Sequence, residues 1–184
     1  MPVHIHYYPL THKTYIIILV VMTTLNDKYN QPVGSLNVPF DKRLGFLIYR
    51  AHTRGVVAFK RTLQAKGYDI TPEQLSVLAW LRQQEGMNQS QLGEKVFKDR
   101  HNMTRILGLL EKKGLIDRRP DETDSRAYRL YLSDAGRDIL KNLRPIYINH
   151  WREQVEGLNK EDIETLRRIL GHISDNLENM ISRL

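Results

Sequence analysis

The chain has 184 residues, which is enough for one domain with a sizeable core, and its formal net charge is +7. This charge favours a polyanionic partner, although charge alone does not separate nucleic acid from a membrane surface. The sequence contains no cysteine, which excludes disulfides, cysteine-ligated zinc, thiol catalysis and cysteine-based redox sensing, and fits a cytoplasmic protein.

Residues 1–40 are predicted to be an N-terminal extension that precedes the domain. The apolar run Tyr15–Met22 is far too short to span a bilayer. Residues 1–21 have three interpretations: translated sequence upstream of a true start at Met22, a strand or helix extension, or a targeting segment. Residues 23–40 contain Asn, Gly, Ser and two prolines and are typical of an extended arm.

Four helices are predicted next, over residues 41–66, 71–86, 88–96 and 99–113. In the first and the last, apolar residues recur with the helical period. The second opens with a capping box that joins Thr71 to Gln74, and the third repeats this pattern at Asn88 and Gln91. Asp99 is in position to cap the fourth helix.

A hairpin and two long helices are predicted to complete the chain. Residues 115–119 and 127–132 pair as a hairpin, whose second strand alternates apolar and polar residues. Helices over 133–157 and 159–182 carry broad apolar faces. The predicted fold class is therefore mainly α with a small β-hairpin wing.

The predicted helix 99–113 has two different faces. Its apolar face carries Met103, Ile106, Leu107 and Leu110, and its polar face carries His101, Thr104, Arg105, Gly108 and Lys112. The loop after it, residues 118–129, contains four arginines. A helix of this kind followed by an arginine-rich hairpin loop is the sequence form of a winged helix-turn-helix, so we expect DNA binding.

Three segments of the sequence resemble the MarR family of bacterial transcription regulators. They are Leu109–Pro120 (LLEKKGLIDRRP), Asp121–Arg126 (DETDSR) and Leu130–Gly136 (LYLSDAG). The resemblance covers roughly residues 41–182. It implies a winged helix-turn-helix lobe over 67–132 and a helical dimerisation region formed by 41–66 and 133–182.

The resemblance also implies an obligate homodimer bound to a pseudo-palindromic operator in double-stranded DNA. The dimerisation helices would interlock, and the two winged lobes would face successive major grooves. The apolar faces of the two C-terminal helices support this independently, because a monomer would expose them as a large patch.

Twelve residues are candidate DNA contacts: Asn88, Gln89, Ser90, Arg100, His101, Asn102, Thr104, Arg105, Arg118, Arg119, Asp124 and Arg126. Those on the helix 99–113 are expected to read bases or the backbone, because arginine suits guanine and asparagine suits adenine. A solvated helix face is the alternative. Residues 88–90 suit phosphates through their N–H groups, with helix capping as an equally good explanation.

The remaining candidates lie on the wing. The resemblance implies that Arg126 reaches into the minor groove and that Asp124 holds it or the loop in position. An exposed ion pair of little energetic value is the alternative. Arg118, Arg119 and Arg129 are expected to serve phosphates or the wing itself.

Many members of the family bind small aromatic or phenolic effectors between the dimerisation and DNA-binding regions. Tyr49, His52, Trp80 and Trp151 are the candidates for such a cleft, with plain core or interface packing as the alternative. The sequence contains neither a P-loop nor a dinucleotide-binding glycine pattern, and no catalytic constellation. We therefore expect no enzyme activity, no cofactor and no metal site.

The sequence thus predicts a cytoplasmic, sequence-specific DNA-binding transcription regulator without a membrane partner. A repressor that a small-molecule ligand releases is the expected form. The alternative is a non-regulatory winged-helix module, either a nucleoid-type DNA binder or a protein-interaction domain.

Overall fold

The computed structural model describes residues 39–121 and 127–183, and this part of the chain forms six α-helices and a two-stranded antiparallel sheet. The helices are α1 (Leu44–Ala65), α2 (Pro72–Gln83), α3 (Gln89–Val96), α4 (Arg100–Lys112), α5 (Asp134–Gln154) and α6 (Lys160–Ile181). The strands between α4 and α5 are β1 (Ile116–Pro120) and β2 (Tyr128–Leu132), and a 3-10 turn at Phe40–Lys42 precedes α1. The predicted fold class, mainly α with a hairpin wing, is confirmed.

Side-chain caps fix the helix starts where the sequence predicts them. The backbone N–H of Gln74 donates to Thr71 Oγ1 (3.2 Å), and the N–H of Thr71 donates to Gln74 Oε1 (3.1 Å). Asn88 and Gln91 form the same reciprocal pair at α3, and a third such box opens α6. Each box gives partners to N–H groups that a helix start otherwise leaves without one.

The hydrophobic core lies between α2, α3, α4 and the hairpin. Its fully buried side chains include Val77, Leu78, Leu81, Leu92, Met103, Leu107, Leu110 and Leu130. Leu63 at the end of α1 and Leu143 on α5 are buried in the same cluster and so attach α1 and α5 to it. Burial of each large apolar side chain is worth about 1.5–3 kcal/mol, so this cluster holds the lobe together.

The hairpin has a third backbone partner besides its own two strands. The N–H of Leu130 donates to the carbonyl of Met87 (3.0 Å), and the N–H of Gly86 donates to the carbonyl of Leu130 (2.9 Å). The segment that follows α2 therefore lies along β2 and ties the wing to the helix-turn-helix.

Two predicted regions lie outside the described residues. The loop 122–126 contains the wing-tip candidates Asp124 and Arg126, and residues 1–38 contain almost all of the predicted N-terminal extension. Both predictions therefore remain predictions.

The start of α5 packs tightly against the base of the hairpin. Ser133 caps α5 by accepting from the N–H of Gly136 (3.0 Å), and its hydroxyl donates to the carbonyl of Gly114 (2.6 Å). A Cβ atom built on Gly136 would overlap the carbonyl oxygen of Leu115. Only glycine fits at this position without a backbone shift.

The last helix, α6, leaves an apolar stripe in solvent. Its exposed members recur with the helical period and include Leu166, Ile169, Leu170, Leu177 and Ile181, and no residue of α6 is buried. Within residues 39–121 and 127–183, none of the helices combines the length and the hydropathy that a membrane crossing requires.

Candidate DNA-binding surface

Helix α4 buries one face and presents the other to solvent. The apolar side chains of Met103, Ile106, Leu107 and Leu110 are buried, as the sequence predicts. The candidate contacts His101, Thr104 and Arg105 are exposed, and Gly108 extends their row with open space where its side chain would be. This face is free to enter a major groove, which is about 12 Å wide.

Asp99 fixes the N-terminus of α4. Its carboxylate accepts hydrogen bonds from the backbone N–H of Asn102 (2.8 Å) and from the side-chain amide of Asn102 (2.6 Å). These bonds, the backbone one first, hold the pKa of Asp99 below its usual range, because they favour the charged carboxylate. The amide nitrogen of Asn102 thus gives one hydrogen to the cap, which leaves its second hydrogen and its oxygen for a base.

Phe97 makes the turn between α3 and α4. Its backbone lies in the left-handed region with φ 54°, and its side chain is 91% exposed. This conformation ends α3 at Phe97, and Asp99 caps the start of α4 two residues later. A bulky residue rarely adopts it, because its Cβ crowds the backbone.

A groove of about 350 Å³ lies where α3, the start of α4 and the hairpin meet. Its walls include five of the predicted contacts, Asn88, Gln89, Ser90, Arg100 and Arg118, together with Ala127, Tyr128 and Leu130. A helix N-terminus and two guanidinium groups all attract anions. The groove therefore favours the phosphates of a nucleic-acid backbone.

Gln89, the first residue of α3, is hydrogen-bonded to α4. Its Nε2 donates to the hydroxyl oxygen of Thr104 (2.8 Å) and to the carbonyl oxygen of Arg100 (3.0 Å). The Thr104 hydroxyl in turn donates to the same carbonyl (2.9 Å). Two candidate contacts from separate helices are thus joined to each other.

The arginines of β1 lie along the hairpin. Arg118 Nε donates to the Glu111 carboxylate on α4 (3.0 Å), and the Arg119 guanidinium lies 4.3 Å from the centre of the Tyr131 ring. Both contacts are at the surface, where such pairs add little stability. The first contact holds Arg118 beside α4, and the second holds Arg119 over β2.

Arg129 has a structural role instead. It forms an ion pair with Asp121, whose side chain is 7% exposed, and its Nη1 donates to the carbonyl of Gly86 (3.1 Å). Breaking a buried, hydrogen-bonded pair is costly because it leaves one charge without compensation. Of the two roles expected for Arg129, the structure favours support of the wing over a phosphate contact.

Tyr128 is a further member of the groove that sequence reasoning missed. It begins β2 on the same side as the buried Leu130 and Leu132, yet its side chain is 51% exposed. The period-two pattern of β2 could have indicated this residue. It places the Tyr128 ring on the core side of the strand, at a position where the core has already ended.

A second cavity, of about 430 Å³, lies between α1, α2 and α5. Its walls are largely apolar and include two cations: Phe59, Pro72, Leu75, Ser76, Ala79, Arg82, Leu140, Leu143, Arg144 and Tyr147. It lies where α1 and α5 meet the winged lobe. This is the region in which the sequence predicts an effector cleft.

The structure brings none of the four predicted cleft residues to the wall of this cavity. Tyr49 packs near Phe46, with 6.4 Å between ring centres, and Trp80 lies under the ammonium group of Lys95 at 5.4 Å. His52 and Trp151 are exposed. Each of the four is accounted for by packing or by solvent exposure in the single chain, and their role in binding an effector stays a prediction.

No cluster of three or more His, Cys, Asp or Glu side chains suited to a metal ion occurs among the described residues. The buried His150 contacts the ring of Phe59 (4.9 Å between centres) and shares a hydrogen bond with Gln154 (2.7 Å).

Comparison with known proteins gives concordant matches. Residues 70–128 match the sequence model of the MarR family. The HTH-type transcriptional regulator SarZ of Staphylococcus aureus is 30% identical over 143 residues, which are 78% of this chain and 95% of SarZ. A probable transcriptional regulator from Pseudomonas aeruginosa matches in structure with a TM-score of 0.67 at 29% identity, over 73% of this chain and 99% of the other.

The fold also matches BpsR of Bordetella bronchiseptica, with a TM-score of 0.69 at 23% identity over 75% of this chain and 97% of BpsR. The DNA binding of BpsR is regulated by 6-hydroxynicotinic acid. At this identity the likeness concerns the fold.

Proposed function

Because the chain belongs to the MarR family of transcription regulators, we propose that it is a homodimeric, sequence-specific repressor that a small-molecule ligand releases from its operator. Membership makes it a DNA-binding winged-helix regulator, and SarZ, which matches over 95% of its length, is a transcriptional regulator. The proposal adds the dimer, the pseudo-palindromic operator, the direction of regulation and the ligand. The cytoplasm of a bacterium is its proposed location, since its DNA lies there.

The observation that carries the proposal is the convergence of candidate contacts on one surface. The exposed row of α4 continues into the groove between α3 and the hairpin, where Arg100 and Arg118 face the N-terminus of α3. The row suits base edges and the groove suits phosphates, which are the two kinds of contact that a DNA reader needs. A protein-interaction surface would carry apolar anchors along α4 in place of the exposed polar row His101, Thr104 and Arg105.

A homodimer is supported by the exposed stripe on α6. Leu170 and Leu177 are 39% and 47% exposed, and neighbouring turns of the helix continue the row. Contiguous apolar surface of this extent marks an interaction site in a folded protein. A second copy is the occupant that also places two winged lobes on two half-sites of a palindrome.

Release by a ligand is supported by the cavity between α1, α2 and α5. Its apolar walls suit a small aromatic ring, and Arg82 and Arg144 give it a positive side. A small aromatic acid is therefore the proposed class of effector. The 6-hydroxynicotinic acid named for BpsR has this chemistry.

The DNA-binding part of the proposal is tested by selection from a randomised duplex pool, followed by titration of the enriched duplex at several salt concentrations. We expect a near-palindromic motif and an affinity that falls steeply with salt, because each phosphate contact releases counterions. Binding without sequence preference would favour a nucleoid-type module. Absence of any binding would favour a protein-interaction domain.

The ligand part is tested with benzoic acid and 6-hydroxynicotinic acid as probes. We expect at least one of them to raise the melting temperature and to weaken binding to the enriched duplex. Arg144→Ala should abolish both effects while leaving binding to DNA intact, and the exposed Arg167→Ala on α6 is its matched control. A wild-type protein that binds DNA but ignores both acids would contradict the proposed effector class.

A further inference from the structure

The hydrogen bonds between Gln89 and α4 fix the direction in which the Gln89 amide points. Nε2 lies 3.0 Å from the carbonyl oxygen of Arg100, and a carbonyl oxygen can only accept. An amide rotated by 180° would place two oxygens in contact. The nitrogen therefore faces Arg100 and Thr104, and the side-chain oxygen of Gln89 points elsewhere.

The amide nitrogen of Gln89 has two acceptors within hydrogen-bond distance on α4. They are the Arg100 carbonyl oxygen at 3.0 Å and the Thr104 hydroxyl oxygen at 2.8 Å. The Thr104 hydroxyl donates its own hydrogen to the Arg100 carbonyl at 2.9 Å. Among the described residues, no hydrogen bond reaches Gln89 Oε1, so this oxygen remains available as an acceptor while the amide nitrogen is held against α4.

The side-chain oxygen of Gln89 is selective among the groups of DNA because it can only accept a hydrogen bond. It repels phosphate oxygens, which also only accept, so this oxygen is unsuited to the phosphate contact expected from its position. Glutamine usually reads adenine through two bonds, one of which donates to N7. In this chain the nitrogen is held against α4, which leaves the oxygen as the acceptor for an exocyclic amino group.

Two bases offer an amino group in the major groove: adenine at N6 and cytosine at N4. We propose that Gln89 Oε1, held by Thr104, is a specificity-determining acceptor that selects an amino-bearing base, A or C, at one position of each half-site. The proposal rests on the proposed function, since it names what part of the DNA-binding surface reads. Thr104 acts as a positioning residue for Gln89.

The first experiment is selection from a randomised duplex pool with wild type and Gln89→Ala. We expect one column of the wild-type motif to hold A and C with G and T depleted, and that column alone to lose its preference in Gln89→Ala. Gln83→Ala, an exposed glutamine at the end of α2, is the matched control and should select the wild-type motif.

The second experiment removes the amino group itself. The base at that column is replaced by purine in place of adenine, or by 2-pyrimidinone in place of cytosine. Wild type should lose about tenfold in affinity, in the range of one base contact. Gln89→Ala should bind the two duplexes equally.

Thr104 supplies a conservative pair of variants. Thr104→Ser keeps the hydroxyl and should keep the discrimination, whereas Thr104→Val keeps the shape and should lose most of it. Melting curves establish that each variant is folded.

Three results would overturn the inference. They are a wild-type motif without an A-or-C column, an unchanged motif in Gln89→Ala, and a uniform loss of affinity that leaves the motif intact, which would make Gln89 a clasp between the helices. A wild type that binds DNA without any motif, or not at all, would instead remove the proposed function on which the inference rests.

Discussion

Gly108 offers a direct test of where DNA lies on α4. A glycine inside an exposed helix costs about 1 kcal/mol relative to alanine. A Cβ atom at Gly108 would meet nothing within 4 Å, so packing within the chain gives no reason for a glycine there. Gly108→Ala should therefore raise the free energy of unfolding by about 1 kcal/mol, which is a rise of roughly 2–4 °C in melting temperature for a chain of this size.

The same variant should weaken DNA binding. Gly108 continues the row of His101 and Thr104, and a double helix seated on that row would occupy the space into which the new methyl group points. Overpacking of a fitted contact costs about 1–3 kcal/mol, so we expect Kd to rise about fivefold or more. Gly171→Ala on α6 is the matched control, because its Cβ would also meet open space, away from the apolar stripe.

Melting curves and duplex titrations of both variants decide the matter. Gly171→Ala should gain similar stability and bind DNA as the wild type does. A Gly108→Ala protein that is stabilised but binds normally would show that DNA does not approach α4 at this point. A destabilised Gly108→Ala protein would refute the open surroundings on which the reasoning depends.

Three further predictions concern the cap, the dimer and the reading face. Asp99→Ala should lower the free energy of unfolding by about 1 kcal/mol at neutral pH. Because the pKa of Asp99 is lowered in the folded protein, its contribution is present above the unfolded pKa of about 3.9 and is lost as pH falls through the folded value, so the difference between the two proteins in denaturant titrations should shrink below that pH. Leu170→Lys should shift sedimentation at micromolar concentration from dimer to monomer. His172→Lys, on the opposite side of α6, should not. A wild type that sediments as a monomer would contradict the proposed dimer. Arg105→Ala should weaken binding to the preferred duplex by about 1–3 kcal/mol and relax its preference with little change in melting temperature, and an equal loss on all duplexes would assign Arg105 to a phosphate.

The helices could be predicted because their signals are local. A capping box needs only residues three apart, so Thr71 with Gln74 and Asn88 with Gln91 mark helix starts that the structure confirms. The apolar stripe of α4 depends only on the helical period, and its four predicted core residues are buried. The bounds of the hairpin strands differ from the prediction by one residue, since hairpin pairing depends on register as well as on pattern.

The contacts between elements could not be predicted in the same way. Gln89 and Thr104 are 15 residues apart, and nothing in either segment indicates that the Gln89 amide donates a hydrogen bond to the Thr104 hydroxyl. The choice of Trp80 and Trp151 for an effector cleft followed residue type, whereas the cavity between α1, α2 and α5 depends on how three helices cross. Arg129 resembles the other wing arginines in sequence, and only the burial of Asp121 distinguishes its role.

The contact between Gly136 and Leu115 determines how motion passes through the molecule. A joint with no space for one extra carbon atom, closed by the bonds of Ser133, cannot bend freely, so the first turn of α5 and the hairpin base must turn as one body. Leu143, which lines the cavity, lies seven residues farther along α5, about 10 Å away on the helix axis. A displacement of α5 at the cavity would therefore be passed through this joint to the base of the wing.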